Sequence, residues 1–154
     1  MRLVVQRVSS ASVSVGSKVV GMTGPGLAVL AGFTAEDTPA IAMKLARKLV
    51  ELRIFEDAEG KMNRSVHDLG GTVLAISQFT LYADIRRGTR PSFEAAARPE
   101  SAQPLYEAFC EAIVASGVDC ERGVFGAHME LATVNDGPVT IIIDSDDLER
   151  PRRT

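Results

Sequence analysis

The chain is poor in the residues that most often announce an active site. Its 154 residues include two cysteines, two histidines and no tryptophan. Cys110 and Cys120 make neither a disulfide framework nor a CxxC site, and read as reduced, partly buried thiols of a cytosolic protein. His67 and His128 lack any HxH, HExxH or Cys/His spacing, so no metal is expected. Both read as plain residues, His67 in a solvated loop and His128 at a strand start. No GxSxG elbow is present, which removes the usual basis for a Ser–His–Asp triad. Gly24-Pro25-Gly26 reads as a turn, because no GxGxxG or GxxxxGK[ST] pattern follows it and no nucleotide cofactor is implied. No apolar run reaches the roughly 20 residues of a membrane span. The first residues, MRLVVQRVSSASVSV, alternate instead of forming a signal-peptide core. A cytoplasmic protein with no cofactor and no membrane partner is expected. Seventeen basic and 20 acidic residues leave a net charge of −3, so any nucleic-acid contact must be a local patch.

The remaining composition, 45% hydrophobic and 24% charged, fits one domain with a core that needs no metal or disulfide. Leu3, Val5, Val8, Val13 and Val15 give strand alternation, Lys18 to Met22 a second strand, and Leu27 to Phe33 a buried third. Ile41, Leu45, Leu49 and Leu52 follow at helical spacing, after Asp37 or Thr38 as the cap and Pro39 in the first turn. Residues 56–71 read as a polar loop, Val73 to Phe79 as an apolar strand, and 83–100 as a long ordered loop or a short irregular element. A second helix starts near Ser101 with Leu105, Phe109, Ala112 and Ile113 inside, and ends at Gly117. Cys120 to Val124, Met129 to Val134 and Val139 to Asp144 read as strands, the last two joined by a tight turn. This order predicts an α+β domain over 1–145, a curled, barrel-like sheet carrying two main helices, with a frayed polar tail over 146–154.

Three segments stand out. Ser77-Gln78-Phe79-Thr80-Leu81 ends an apolar strand with three hydrogen-bonding side chains beside a long loop. In strand geometry Gln78 and Thr80 would point away from Phe79 and Leu81. The segment is either a pocket wall or a satisfied strand edge. Arg86, Arg87 and Arg90 put three guanidinium forks within five residues, next to Phe93 as a stacking face. That is either a phosphate-binding loop or a solvated basic one. Asn135-Asp136-Gly137-Pro138 is either a plain hairpin turn or a cis corner, since a cis X–Pro bond costs only about 0.5–1 kcal/mol.

Together these segments resemble the D-aminoacyl-tRNA deacylase family. SQFTL at 77–81, RGTRPSF at 87–93 and NDGPVT at 135–140 match its motifs in order and spacing, and QRV at 6–8 and RIFEDAEGKMN at 53–63 are similar too. The resemblance implies a homodimer that hydrolyses the ester between a D-amino acid and the tRNA 3′ end, and glycyl-tRNA mischarged on tRNA-Ala. It implies that Gly137 and Pro138, as a Gly-cisPro pair, reach into the partner's site to hold the α-amino group and exclude L side chains. It implies that the substrate's 2′-hydroxyl assists water, with Ser77, Gln78, Phe79 and Thr80 supplying orientation and backbone donors. A broader esterase with Thr80 or a serine as covalent nucleophile stays open as a second reading, and a non-catalytic dimer that binds RNA or a small molecule as a third. Arg7 is expected to support the Gly-Pro segment, and Arg86, Arg87, Arg90 and Phe93 to contact tRNA. Tyr82 departs from the family pattern and is expected to alter pocket size.

Overall fold

The computed structural model describes residues 1–151. The organising element is β1 (Arg2–Val15), whose alternation buries Leu3, Val5, Ala11 and Val13. It is paired along both edges. On one side lie β3 (Gly26–Gly32), opposite residues 2–8, and β2 (Lys18–Thr23), opposite residues 11–15. On the other side runs β8 (Glu130–Asp144). From β3 the sheet continues through parallel β6 (Thr72–Ser77) and parallel β7 (Asp119–Arg122). The sheet curls until its far strands meet. A Cβ on Gly21 of β2 would lie 2.7 Å from the Arg122 carbonyl oxygen of β7. The result is a nearly closed, barrel-like sheet, in agreement with the α+β reading.

Two long helices cover one face. Helix α1 (Pro39–Glu51) starts where Thr38 Oγ1 accepts from the Ile41 N–H, and buries Ala42, Leu45, Ala46 and Leu49. A four-residue helix, α2 (Val66–Leu69), precedes β6. Helix α3 (Pro99–Ala115) buries Leu105, Tyr106, Phe109, Cys110 and Ile113; Ala112 is only half-buried. These faces pack against Leu3, Val5, Val29, Val73 and Ala75 of the sheet. A smaller cluster of Val8, Val13, Ala28, Leu74 and Ile76 lies on the opposite sheet face. Both cysteines are free.

Four expectations are corrected. Residues 56–71 hold more structure than a loop: a hairpin of β4 (Phe55–Glu56) and β5 (Met62–Arg64), and α2. Ser65 and Asp68 cap α2 reciprocally, at 3.1 and 2.9 Å. Elements this short carry no readable periodicity. The strand expected over 73–79 stops at Ser77, where the chain enters a 3-10 turn, Phe79–Tyr82. The two strands expected around Asn135–Pro138 are one strand, with an outward bulge in place of a hairpin. The tail expected from 146 begins instead as α4 (Ser145–Glu149), capped by Asp144. Its Ser145 is buried, its Leu148 packs on the core, and its Glu149 pairs with Lys44. Residues 152–154 lie outside the described part. No helix among the described residues is long and apolar enough to cross a membrane.

Phe109, with no exposed surface, joins α3 to the sheet. Phe109→Ala is expected to cost about 3–5 kcal/mol in urea unfolding. A loss under 1 kcal/mol would contradict this packing.

Candidate active site

At the end of β6 the backbone of Gln78 still donates to Ala31 of β3, at 2.8 Å. The next residues do not continue the ladder. Leu81 N–H bonds the Gln78 carbonyl at 3.3 Å and Ala83 N–H the Thr80 carbonyl at 3.1 Å, closing the 3-10 turn. The two-faced strand geometry expected for Gln78 to Leu81 therefore does not exist. The turn brings Ser77, Gln78 and Phe79 to the wall of a cavity of about 690 Å³. Phe33, Phe93, Phe125 and Met129 give it an apolar body. The start of α3 forms another wall, and Ala97 N–H bonds the Phe33 carbonyl at 2.8 Å to fix the preceding loop. Phe79 is 56% exposed and meets Phe93 edge to face, with centroids 5.1 Å apart. Thr80 is not in the cavity wall; it is exposed, and its hydroxyl accepts a hydrogen bond from the Gln78 side-chain amide.

The chemistry of the lining is as telling as its shape. It contains no Asp or Glu, and its ionisable side chains are Arg98 and His128. No carboxylate is there to act as general base or to orient a histidine. Among the described residues no group of three His, Cys, Asp or Glu could hold a metal. Sequence reasoning missed Arg98, His128, Phe33, Phe125 and Met129 as lining residues. Their local patterns carry no signal, because the fold alone brings four separate segments together.

The basic loop forms a separate cleft of about 440 Å³. Arg86, Arg87 and Arg90 share it with Asp84 and Glu94. Arg86 is held by Asp84 at 2.6 Å, and its hydrogen bonds draw the Asp84 carboxyl down to about 2. Arg87 and Arg90 make no ion pair among the described residues. Phe93 belongs to the other cavity, with Phe79. Tyr82, expected to reshape the pocket, is absent from its lining and lies under the Arg2 guanidinium.

The remaining candidates sit on β8. Val8 pairs with Asn135 and Gln6 with Thr140, so residues 136–139 bulge out opposite Arg7 alone. Arg7 is 5% exposed; it donates to the carbonyls of Ile54 at 2.8 Å and Asp136 at 3.2 Å, and pairs with the Asp136 carboxylate. Asn135 closes the bulge by exchanging hydrogen bonds with the Val139 backbone at 3.0 and 3.2 Å. Gly137 has φ +122°, and a Cβ there would lie 3.0 Å from Arg7 Nη2, so only glycine fits. The Gly137–Pro138 peptide bond is cis. Gly137 and Pro138 are exposed and do not line the cavity of their own chain.

Comparison with known proteins gives a consistent result. The family described as D-Tyr-tRNA(Tyr) deacylase matches residues 4–144. The D-aminoacyl-tRNA deacylase of Symbiobacterium thermophilum is 60% identical, covering 95% of this chain and 97% of that protein. The D-aminoacyl-tRNA deacylase of Thermus aquaticus is 57% identical, with coverage of 94% and 95%. Among solved structures, the c-Myc DNA Unwinding Element Binding Protein superposes with a TM-score of 0.87 at 39% identity, covering 94% of this chain and 98% of that one. A probable eukaryotic D-amino acid tRNA deacylase, 21% identical with a TM-score of 0.79 over 92% and 97% of the chains, shares the fold.

Arg7→Met removes the donors that the Ile54 and Asp136 carbonyls use. It is expected to cost about 1–3 kcal/mol and to speed amide exchange at 135–140. Unchanged exchange there would show that Arg7 does not hold the bulge.

Proposed function

The chain belongs to the D-Tyr-tRNA(Tyr) deacylase family, and from that premise we propose that it hydrolyses the ester linking a D-amino acid to the 3′ end of tRNA, releasing both, in the cytoplasm. The observation that carries the reading is the cavity at the end of β6, where Ser77, Gln78 and Phe79 meet an apolar body that holds no carboxylate. Such a site suits a reaction whose acid–base work comes from the substrate. The 2′-hydroxyl of the terminal ribose lies next to the ester and can assist a water. The water oxygen attacks the carbonyl carbon, the bond to the 3′-oxygen breaks, and that oxygen leaves with a proton. The protein contributes orientation and backbone donors around Gln78, Phe79 and Thr80. Thr80 lies outside the cavity wall with its hydroxyl bonded to the Gln78 amide, which argues against covalent attack by it. Arg86, Arg87 and Arg90 are assigned to acceptor-stem phosphates, with Arg86 weakened by its pairing to Asp84.

Chirality is read by Gly137 and Pro138 delivered from a second copy. Two observations support this. The pair is exposed on its own chain and absent from that chain's cavity. It also rides on a strand whose outer edge is unpaired among the described residues, with Val134 56% and Ile142 68% exposed. In a homodimer the two main-chain carbonyls would hold the substrate's α-amino group, and the Pro138 ring would fill the space an L side chain needs. A D side chain points away from it. Glycine has nothing to reject, so glycyl-tRNA mischarged on tRNA-Ala is also a substrate.

Following ester loss from D-Tyr-tRNA and L-Tyr-tRNA tests this. The protein is expected to cleave the D ester and spare the L ester, with Ser77→Ala and Thr80→Ala keeping most of the rate if no covalent intermediate forms. Pro138→Gly is expected to raise L cleavage about 10–200-fold, the range one apolar contact discriminates. Equal rates on both esters in the parent protein would overturn the proposal, and loss of all activity in Thr80→Ala would restore the covalent reading.

A further inference from the structure

Behind the Gln78–Tyr82 turn, away from the cavity, one side chain ties three segments together. Arg2 begins β1, opposite Gly32 of β3 and Asp144 of β8. Its Nε donates to Asp144 Oδ2 at 2.9 Å, its Nη1 to the Leu81 carbonyl at 3.0 Å, and its Cζ lies 5.0 Å from the centre of the Tyr82 ring. The geometry uses every property that separates arginine from lysine: a fork that donates in two directions, and a flat cation that stacks on a ring.

The turn has little room to sit elsewhere. At Gly32 a Cβ would lie 3.0 Å from the Gln78 carbonyl oxygen, 3.1 Å from Leu81 Cβ and 3.2 Å from Tyr82 Cε2. The turn thus presses directly on the backbone of β3, with Tyr82 between that backbone and Arg2. Asp144 is fixed in its own right. Burial pushes its carboxyl up, but the Asp146 N–H and the Arg2 guanidinium outweigh burial and hold it below the usual carboxylate range. The clamp is therefore anchored on the last residue of β8, seven residues beyond Gly137.

We propose that Arg2 and Tyr82 are positioning residues for deacylation, fixing the turn that presents Gln78 and Phe79 to the cavity. They touch neither the cavity nor the substrate; they act through the Leu81 carbonyl and the ring packed beneath the guanidinium. The inference rests on the deacylase reading of that cavity.

The experiment measures kcat and KM on D-Tyr-tRNA, with thermal melting, for Arg2→Met, Arg2→Lys, Tyr82→Leu, Tyr82→Phe and the double variant Arg2→Met/Tyr82→Leu. Arg2→Met and Tyr82→Leu are expected to lower kcat about 10–100-fold, the scale set by sub-ångström to ångström misplacement of reacting groups, with KM within about twofold. Tyr82→Phe keeps the ring and is expected to stay near the parent rate. Arg2→Lys keeps the charge but not the fork, and is expected to fall with Arg2→Met. The double variant is expected to be no slower than the worse single one, because the two residues act as one unit. Parent-like kcat in both Arg2→Met and Tyr82→Leu, or losses that multiply in the double variant, would overturn the proposal. So would loss of kcat only in variants that melt below the assay temperature, or a Tyr82→Phe variant as slow as Tyr82→Leu. A parent protein inactive on the D ester would instead strike the deacylase reading itself.

Discussion

Four residues of β8 stand against one residue of β1, and a buried guanidinium makes that mismatch tenable. A bulge of this size pulls carbonyl groups out of the sheet ladder, and buried carbonyls without donors are costly. Arg7 answers one of them, at Asp136, and ties it to the Ile54 carbonyl ahead of β4, while Asn135 bonds both backbone groups of Val139. Asp136–Val139 is thereby displayed outward from a strand that pairs with β1 on both sides of the bulge. Everything proposed for chiral selection depends on this: a flexible segment could not test the handedness of a substrate through main-chain shape.

The cavity at the end of β6 shows the complementary economy. Its walls are made of helix start, strand end and loop, tied by Ala97 to Phe33 and by the Tyr106 hydroxyl to the Ala75 carbonyl at 2.8 Å. It is furnished with rings and amides, and lacks the carboxylate–histidine pairs of conventional hydrolases. On the proposed reading such a cavity accelerates the reaction by holding an ester and its neighbouring hydroxyl in a productive arrangement, a contribution that reaches several kcal/mol when the geometry is tight. The clamp of Arg2, Tyr82 and Asp144 fits that requirement, since a site that works by placement needs its placing elements braced.

Much of this was legible in the chain. β1 and α1 announced themselves through alternation and through Ile41, Leu45 and Leu49, because long periodic elements bury one face. Gly137-Pro138 and the SQFTL segment were visible as motifs. Their settings were not. The 3-10 turn at Phe79 is invisible to a pattern reading because its apolar residues continue the strand's composition. The bulge at 136–139 looks like a hairpin turn, because turn chemistry is the same whether the chain reverses or merely bows outward. His128 and Arg98 reach the cavity from segments 30 residues apart, and Arg2 meets Tyr82 across 80 residues; such encounters are decided by topology, which local spacing does not encode.

The claim on which the account turns is that one copy's Pro138 guards the other copy's cavity. Two variants test it: Ala96→Trp, designed to fill the cavity, and Pro138→Gly, which on the proposed reading opens it to L esters. When Pro138→Gly protein is re-associated with excess Ala96→Trp protein, each open cavity receives an intact Pro138 from its partner. The account predicts that cleavage of L-Tyr-tRNA then falls toward the parent level while D-Tyr-tRNA cleavage persists. L cleavage per open cavity that is unchanged by mixing would contradict it.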